Sequence, residues 1–176
     1  MLDDELDLSI KNYVHIIGIG GAGMGAIAEV LVTMGHKVTG SDIKDSPRLD
    51  RLRAFGVEIF IGHDPKNVKS VDFVARSTAI LDSNVECLKA IESEIPLLSR
   101  EKVLRSISKL KKSIAVSGTH GKTTTSSMLS LVLREAGLKP SFIIGGEVNE
   151  IGTGAVWDDG ENLVIEADES DASFLG

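Results

Sequence analysis

The chain has one cysteine, Cys87, in 176 residues, so it forms no internal disulfide and holds no Cys-x-x-Cys pair. That scarcity fits a reducing cytoplasm. Basic residues are missing from the last 26 positions, where Asp158, Asp159, Glu161, Glu166, Asp168, Glu169 and Asp171 face no Lys or Arg. Residues 1–150 carry all 19 basic side chains and 19 of the 26 acidic ones, so the formal charge of -7 belongs to one terminal stretch. No basic cluster exists beyond Lys109, Lys111 and Lys112, which is too short for a nucleic-acid surface built on phosphate neutralisation. Long apolar runs are also lacking. Positions 12–28 hold no Asp, Glu, Lys or Arg, but five glycines and a histidine interrupt them, and they fall short of the ~20 apolar residues of a membrane span. The acidic start, Met1 to Asp7, has the wrong sign for a secretory signal. The four histidines, His15, His36, His63 and His120, show no metal-ligand spacing. Cys87, within a helical pattern, reads as a core residue.

What is present is an alternation of short apolar runs with helical patterns, the signature of an α/β fold with parallel strands and crossover helices. Strands are expected at 13–17, 37–41, 57–61, 71–77 and 95–98, and helices at 24–34, 84–93 and 100–109. A further helix is expected after Ser46 as N-cap and Pro47 as first residue, with Leu49, Leu52 and Phe55 on its inner face and Gly56 at its end. Arg76 ends an apolar run, as an edge charge or a phosphate contact. These elements make a Rossmann-like first domain over residues 1–110. A second unit, 111–176, starts again with a strand at 113–117, a helix from Lys122 to about Ala136 closed by Gly137, a strand at 141–144, a Gly-rich loop and a strand from Leu163. Three strands are fewer than the five or six usual for an open parallel sheet, so the chain is expected to end inside this ATPase-like domain.

Two glycine loops carry chemistry. Gly18, Gly20 and Gly23 form G-x-G-x-x-G after the first strand and open a helix, so backbone can approach a diphosphate at a helix N-terminus. Asp42 ends the second strand, placed to accept a ribose hydroxyl. This motif by itself suits NAD as well as any other nucleotide, or a tight turn with close helix packing. The second loop runs Gly118-Thr119-His120-Gly121-Lys122-Thr123-Thr124. Gly-Lys-Thr at a helix start is the working part of a P-loop: amides surround phosphates, Lys122 reaches the β and γ oxygens, and the Thr123 hydroxyl binds Mg2+. The spacing departs from the standard one, because Val116 stands where the first glycine belongs. Period-2 alternation puts Val164, Glu166 and Asp168 on one strand face, where a carboxylate beside the P-loop can complete a Mg2+ shell. Asp158, Asp159 and Glu161 read instead as a solvated loop around Trp157.

Four motifs together, Gly18 to Met24, Gly40 to Asp42, Ser117 to Thr125 and Glu166 to Phe174, resemble the Mur ligases. The resemblance implies three domains: a UDP-sugar-binding domain, a central ATPase domain of which this chain holds the beginning, and a C-terminal domain absent here. It implies an ATP-dependent ligase of peptidoglycan precursor synthesis that phosphorylates the lactyl carboxylate of UDP-N-acetylmuramate and lets the amine of L-alanine attack the acyl phosphate. ATP and Mg2+ are the implied cofactors, and the fragment is expected to be inactive alone. On this reading the catalytic residues are Lys122, Thr123 and Glu166, the metal ligands Thr123 and Glu166, and the ATP site Gly118 to Thr124. The UDP-sugar would lie against Gly18, Gly20, Gly21, Ala22, Gly23, Met24, Ser41 and Asp42, with His63, Ser77, Thr78 and Ala79 nearby. A sibling activity attaching a murein tripeptide to the same sugar nucleotide, an NAD-dependent dehydrogenase domain and a non-catalytic nucleotide-binding module are the alternatives.

Overall fold

A computed structural model describes residues 6–148 and 151–167, so Glu166 and Ala167 of the acidic motif are described while its remainder, from Asp168 through Glu169 and Asp171 onward, lies outside the described residues. Two compact units divide at residues 103 and 104. In the first, five strands, β1 (Tyr13–Ile17), β2 (Lys37–Asp42), β3 (Glu58–Ile61), β4 (Phe73–Arg76) and β5 (Leu97–Ser99), form a sheet in the order β3-β2-β1-β4-β5. All pairs are parallel, with Ile17 opposite both Ser41 and Arg76. This is the Rossmann-like order expected, and it reverses direction between β1 and β4, where the loops after two adjacent strands part and leave a crevice.

Helices α1 (Ala22–Thr33), α2 (Pro47–Ala54) and α3 (Val85–Glu92) connect the strands, and α4 (Arg100–Ser108) follows β5. Val14, Ile16, Ile17, Phe73, Val74 and Ala75 are completely buried, as strands of a sheet covered on both faces must be. Each large side chain there contributes about 1.5–3 kcal/mol. The uncharged stretch 12–28 is thus a buried strand, a turn and the inner face of α1, which buries Met24, Ile27, Ala28, Val30 and Leu31. No helix among the described residues is long and apolar enough to cross a membrane.

Some local expectations need correction. Leu49 and Leu52 are buried, but Phe55 is 45% exposed because α2 ends at Ala54 and Phe55 caps it from outside the core. Ser46 precedes α2 as expected, yet its side chain makes no capping bond. Arg76 is no edge charge: β4 lies inside the sheet, and the guanidinium pairs with Asp82 at 2.5 Å and reaches the Ile80 carbonyl. Cys87 is buried against Val74 and Ala90, and burial pushes its thiol up.

In the second unit β6 (Lys112–Val116), α5 (Lys122–Glu135), β7 (Ser141–Val148), β8 (Thr153–Val156) and β9 (Asn162–Glu166) give the order β6-β9-β7-β8. β6, β9 and β7 are parallel. The tract expected to be a Gly-rich loop is instead the end of β7 and the antiparallel strand β8, with a register shift between Ile143 and Val148. Thr153 and Ala155 face inward from β8, so two inward side chains suffice to hold a strand the sequence did not reveal. Phe142, Ile144 and Val164 form the core here. Lys111 is not part of a surface patch: its ammonium bonds the carbonyls of Asp158 and Gly160 and lies 4.3 Å from the Trp157 ring centre. Asp159 and Glu161 are exposed as expected, with Glu161 paired to Lys112 at 2.6 Å.

Candidate functional site

In the first unit the loop after β1 is held by β2. The amides of Gly18 and Ile19 donate to the Ser41 carbonyl at 2.9 and 3.1 Å, that of Gly21 donates to the Gly18 carbonyl, and that of Gly20 donates to Asp42 Oδ2 at 2.9 Å. Asp42 therefore ties the loop down through Oδ2, while its Oδ1 has a 3.4 Å contact from the Lys44 amide. The glycines are required by these close approaches. A Cβ on Gly18, whose φ is +76°, would sit 3.1 Å from Ser77 Cβ, one on Gly20 would sit 2.8 Å from Asp42 Oδ2, and one on Gly23 would sit 2.6 Å from Arg100 Nε.

Beyond the loop, α1 leaves the amides of Ala22, Gly23 and Met24 without intrahelical acceptors, as every helix start does. Met24 itself is 2% exposed, so only its backbone can meet a ligand. Ser77 stands beside Gly18 across the β1–β4 crevice, its amide donating to the Ile17 carbonyl, while Thr78 and Ala79 are exposed just beyond. Two arginines that the sequence did not single out also reach the loop. Arg48 donates to the Gly20 carbonyl at 3.0 Å, and Arg100 lies against Gly23. The first unit thus brings a glycine loop, a helix start and two guanidinium groups to one edge, which suits a diphosphate.

His63 follows β3, and its environment was not foreseen. Its Nδ1 lies 2.9 Å from Glu86 Oε2 and 3.1 Å from Ser41 Oγ. Glu86, completely buried on α3, also accepts from Ser41 Oγ at 2.5 Å and from Asn67 Nδ2 at 2.7 Å, and lies 3.6 Å from His15 Nε2. Burial pushes the Glu86 carboxyl up, but His15, Ser41 and Asn67 around it outweigh that and hold it at about 2. A carboxylate on the inner face of α3, beside Cys87 and Ala90, was the available signal, since a charge there must find donors. His15 and His36 are buried as structural residues: His15 meets Thr39 Oγ1 at 3.0 Å, and His36 accepts from the Asn12 amide while burial lowers its pKa.

In the second unit the P-loop joins β6 to α5. Gly118 and Gly121 have φ of +145° and +77°, in the positive region that favours glycine. Thr119, His120, Thr123 and Thr124 are exposed, and Lys122 Nζ bonds the Gly118 carbonyl at 2.7 Å. Glu166 pairs directly across the ladder with Val116, the residue from which the loop departs. Both strands run the same way, so the carboxylate and the loop share one sheet edge. Glu166 Oε2 accepts from the Gly145 amide at 2.9 Å, and its Oε1 is buried with no hydrogen-bond partner among the described residues. An orphaned carboxylate oxygen beside a phosphate loop suits a divalent cation.

A family model described as "Mur ligase family, catalytic domain" matches residues 13–112. The UDP-N-acetylmuramate–L-alanine ligase of Nitrosospira multiformis is 49% identical over 163 residues, covering 93% of this chain and 33% of that protein. The crystal structure of UDP-N-acetylmuramate-alanine ligase from Thermotoga maritima matches with a TM-score of 0.84 at 34% identity, over 90% of this chain and 37% of that one. The UDP-N-acetylmuramate:L-alanyl-gamma-D-glutamyl-meso-diaminopimelate ligase of Neisseria meningitides matches with a TM-score of 0.83 at 32% identity, over 91% and 53%. The chain spans about a third of the length of the curated relatives it matches.

Proposed function

Because the chain belongs to the Mur ligase family, we propose that it carries the UDP-sugar site and the Mg2+-ATP loop of a ligase joining L-alanine to UDP-N-acetylmuramate. The domains are residues 1–110 for the sugar nucleotide and 111–176 for the start of the ATP-binding domain. The observation that carries this reading is Glu166 opposite Val116, with one oxygen fixed by Gly145 and the other without a partner among the described residues. That arrangement belongs to a metal-assisted phosphate site, and a dehydrogenase has no use for it.

Thr123 and Glu166 would hold Mg2+, whose charge would offset that of the ATP phosphates. Lys122, on the first turn of α5, leaves the Gly118 carbonyl to meet a phosphate oxygen, and the first-turn amides hold the phosphates in place. Phosphoryl transfer rests mainly on positioning and charge neutralisation, which is what these groups supply. In the first unit, the amides of Ala22 to Met24 with Arg48 and Arg100 bind the diphosphate, and Asp42, His63 and the Ser77-Thr78-Ala79 run border the nucleoside and sugar, while Ser41, completely buried, supports the loop through its carbonyl. Substrates of this kind place the work in the cytoplasm. L-Alanine is favoured over a murein tripeptide because curated relatives at 49% and 50% identity carry the alanine name, whereas the tripeptide ligase of Neisseria meningitides is 32% identical.

Titration calorimetry of the chain with UDP-N-acetylmuramate and with NAD tests the reading. Binding of the sugar nucleotide and none of NAD is expected. Binding of NAD alone would overturn it.

A further inference from the structure

The polar cluster around Glu86 reaches from the core of the first unit to the glycine loop, and the chemistry of its atoms determines where the protons lie. An ionised carboxylate only accepts. Ser41 Oγ therefore gives its proton to Glu86 Oε2, and Asn67 Nδ2 gives one to Oε1. The Asp64 amide adds a longer contact to Oε1 at 3.4 Å. His63 Nδ1, 2.9 Å from Oε2, must itself carry a proton to bond there. Ser41 Oγ, whose hydrogen is already used, can only accept from that same Nδ1–H at 3.1 Å. His63 is thus fixed with its proton on Nδ1. Its Nε2 is buried and has no hydrogen-bond partner among the described residues.

A serine, a histidine and a glutamate in contact suggest a nucleophile relay, but the geometry excludes one. Serine and carboxylate meet the same ring nitrogen, whereas a relay needs them on opposite nitrogens. The cluster leads elsewhere. The Ser41 carbonyl accepts the amides of Gly18 and Ile19, the Asp42 carbonyl accepts that of Gly62, and the Asp42 carboxylate accepts that of Gly20. Ser41 and Asp42 therefore join His63 and the glycine loop into one bonded edge.

We infer that Glu86 is a positioning residue of the sugar-nucleotide site: it holds the His63 ring with Nδ1 protonated, so that Nε2 accepts a hydrogen bond from a hydroxyl or N–H group of the ligand. This rests on the UDP-sugar reading of the first unit. Glu86 touches no ligand and acts through the ring.

Two measurements test it. Nitrogen-15 NMR of the histidine-labelled chain at neutral pH should show His63 protonated at Nδ1 and bare at Nε2, and Glu86→Gln should release the opposite tautomer, because an amide can donate to the ring as well as accept. Finding Nε2–H in the unsubstituted chain overturns the inference whether or not UDP-N-acetylmuramate binds. Failure of the sugar nucleotide to bind counts instead against the proposed function. In calorimetry Glu86→Gln should weaken UDP-N-acetylmuramate binding about tenfold, the size of one lost hydrogen bond, and leave ATP binding unchanged. The same substitution in a His63→Ala background should then have no further effect. Equal losses in both backgrounds would mean that Glu86 does not act through His63, and would overturn the inference. If Glu86→Gln does not fold, Ser41→Ala takes its place in the cycle, with the unsubstituted tautomer as the deciding result.

Discussion

The two glycine loops occupy the same place in a fold, between a parallel strand and the helix that follows it, yet their glycines answer different needs. In the first loop Gly18, Gly20 and Gly23 leave no room for a Cβ against Ser77, Asp42 and Arg100, and the amides from Gly18 to Gly21 are bonded to protein. In the second, among the described residues, a Cβ on Gly121 would meet nothing within 4 Å, and one on Gly118 would find only the His120 carbonyl at 3.8 Å. Positive φ is the whole requirement there. A loop built against its own scaffold is already shaped before a ligand arrives, and its recognition rests on neighbours such as Arg48, Arg100 and His63. A loop in open space supplies its backbone and its lysine directly. One G-x-G pattern can therefore stand for a packing solution and another for a binding surface.

The largest effect expected from that contrast is at Lys122. Its one described hydrogen bond is to the Gly118 carbonyl at the surface, so Lys122→Ala should leave thermal stability nearly unchanged. Loss of a charged contact to phosphate should weaken ATP binding about 100-fold, with UDP-N-acetylmuramate binding unaltered. Unchanged ATP affinity in calorimetry would make Lys122 ordinary surface and erase the distinction between the loops.

Next comes acid. The folded pKa of Glu86, about 2, lies below its ordinary 4.5, so its contribution is complete above pH 4.5 and disappears as pH falls toward 2. The shift corresponds to at most about 3 kcal/mol. Glu86 belongs to the first unit, and the single Tyr, Tyr13, lies in that unit while the single Trp, Trp157, lies in the second. Urea unfolding followed at both fluorophores should show the tyrosine transition moving to lower urea between pH 4.5 and 2, ahead of the tryptophan one. Glu86→Gln should flatten that difference, and a tyrosine transition insensitive to pH in this window would refute the assignment.

What could be read in the sequence follows the range of the interactions. Strands β1, β2, β6 and β9 come from local apolar runs, and Gly35, Gly56 and Gly137 stop their helices with φ of +92°, +88° and +75°, a local property of glycine. Asp42 could be placed at a strand end by spacing, but its bond to Gly20 depends on how the loop turns back. The Glu86 cluster was out of reach because residues 15, 41, 63, 67 and 86 meet only through the register of parallel strands and the packing of α3. Strand β8 was missed for a related reason. Its four residues, Thr153-Gly154-Ala155-Val156, are too short a run to stand out beside the neighbouring glycines, and pairing of Val156 with Phe142 and Ala155 with Ile143 supplies what so short a pattern lacks.

The smallest effect separates strain from crowding. Alanine at Gly121 must adopt φ near +77° but meets no neighbour among the described residues, so the substitution should destabilise by about 1–2 kcal/mol, the cost of a left-handed conformation for a residue with Cβ. Alanine at Gly18 faces nearly the same φ, +76°, and in addition a contact of 3.1 Å with Ser77 Cβ and 3.3 Å with Ile80. Overpacking adds about 1–3 kcal/mol to the strain there. Because the dihedral terms nearly cancel in the comparison, the difference between the two melting shifts measures the crowding alone. Gly18→Ala should lower stability more than Gly121→Ala, and binding should divide the same way, the first substitution disturbing the sugar nucleotide and the second ATP. Equal destabilisation would mean that Ser77 and Ile80 yield without resistance, and the first loop would then be no more firmly built than the second.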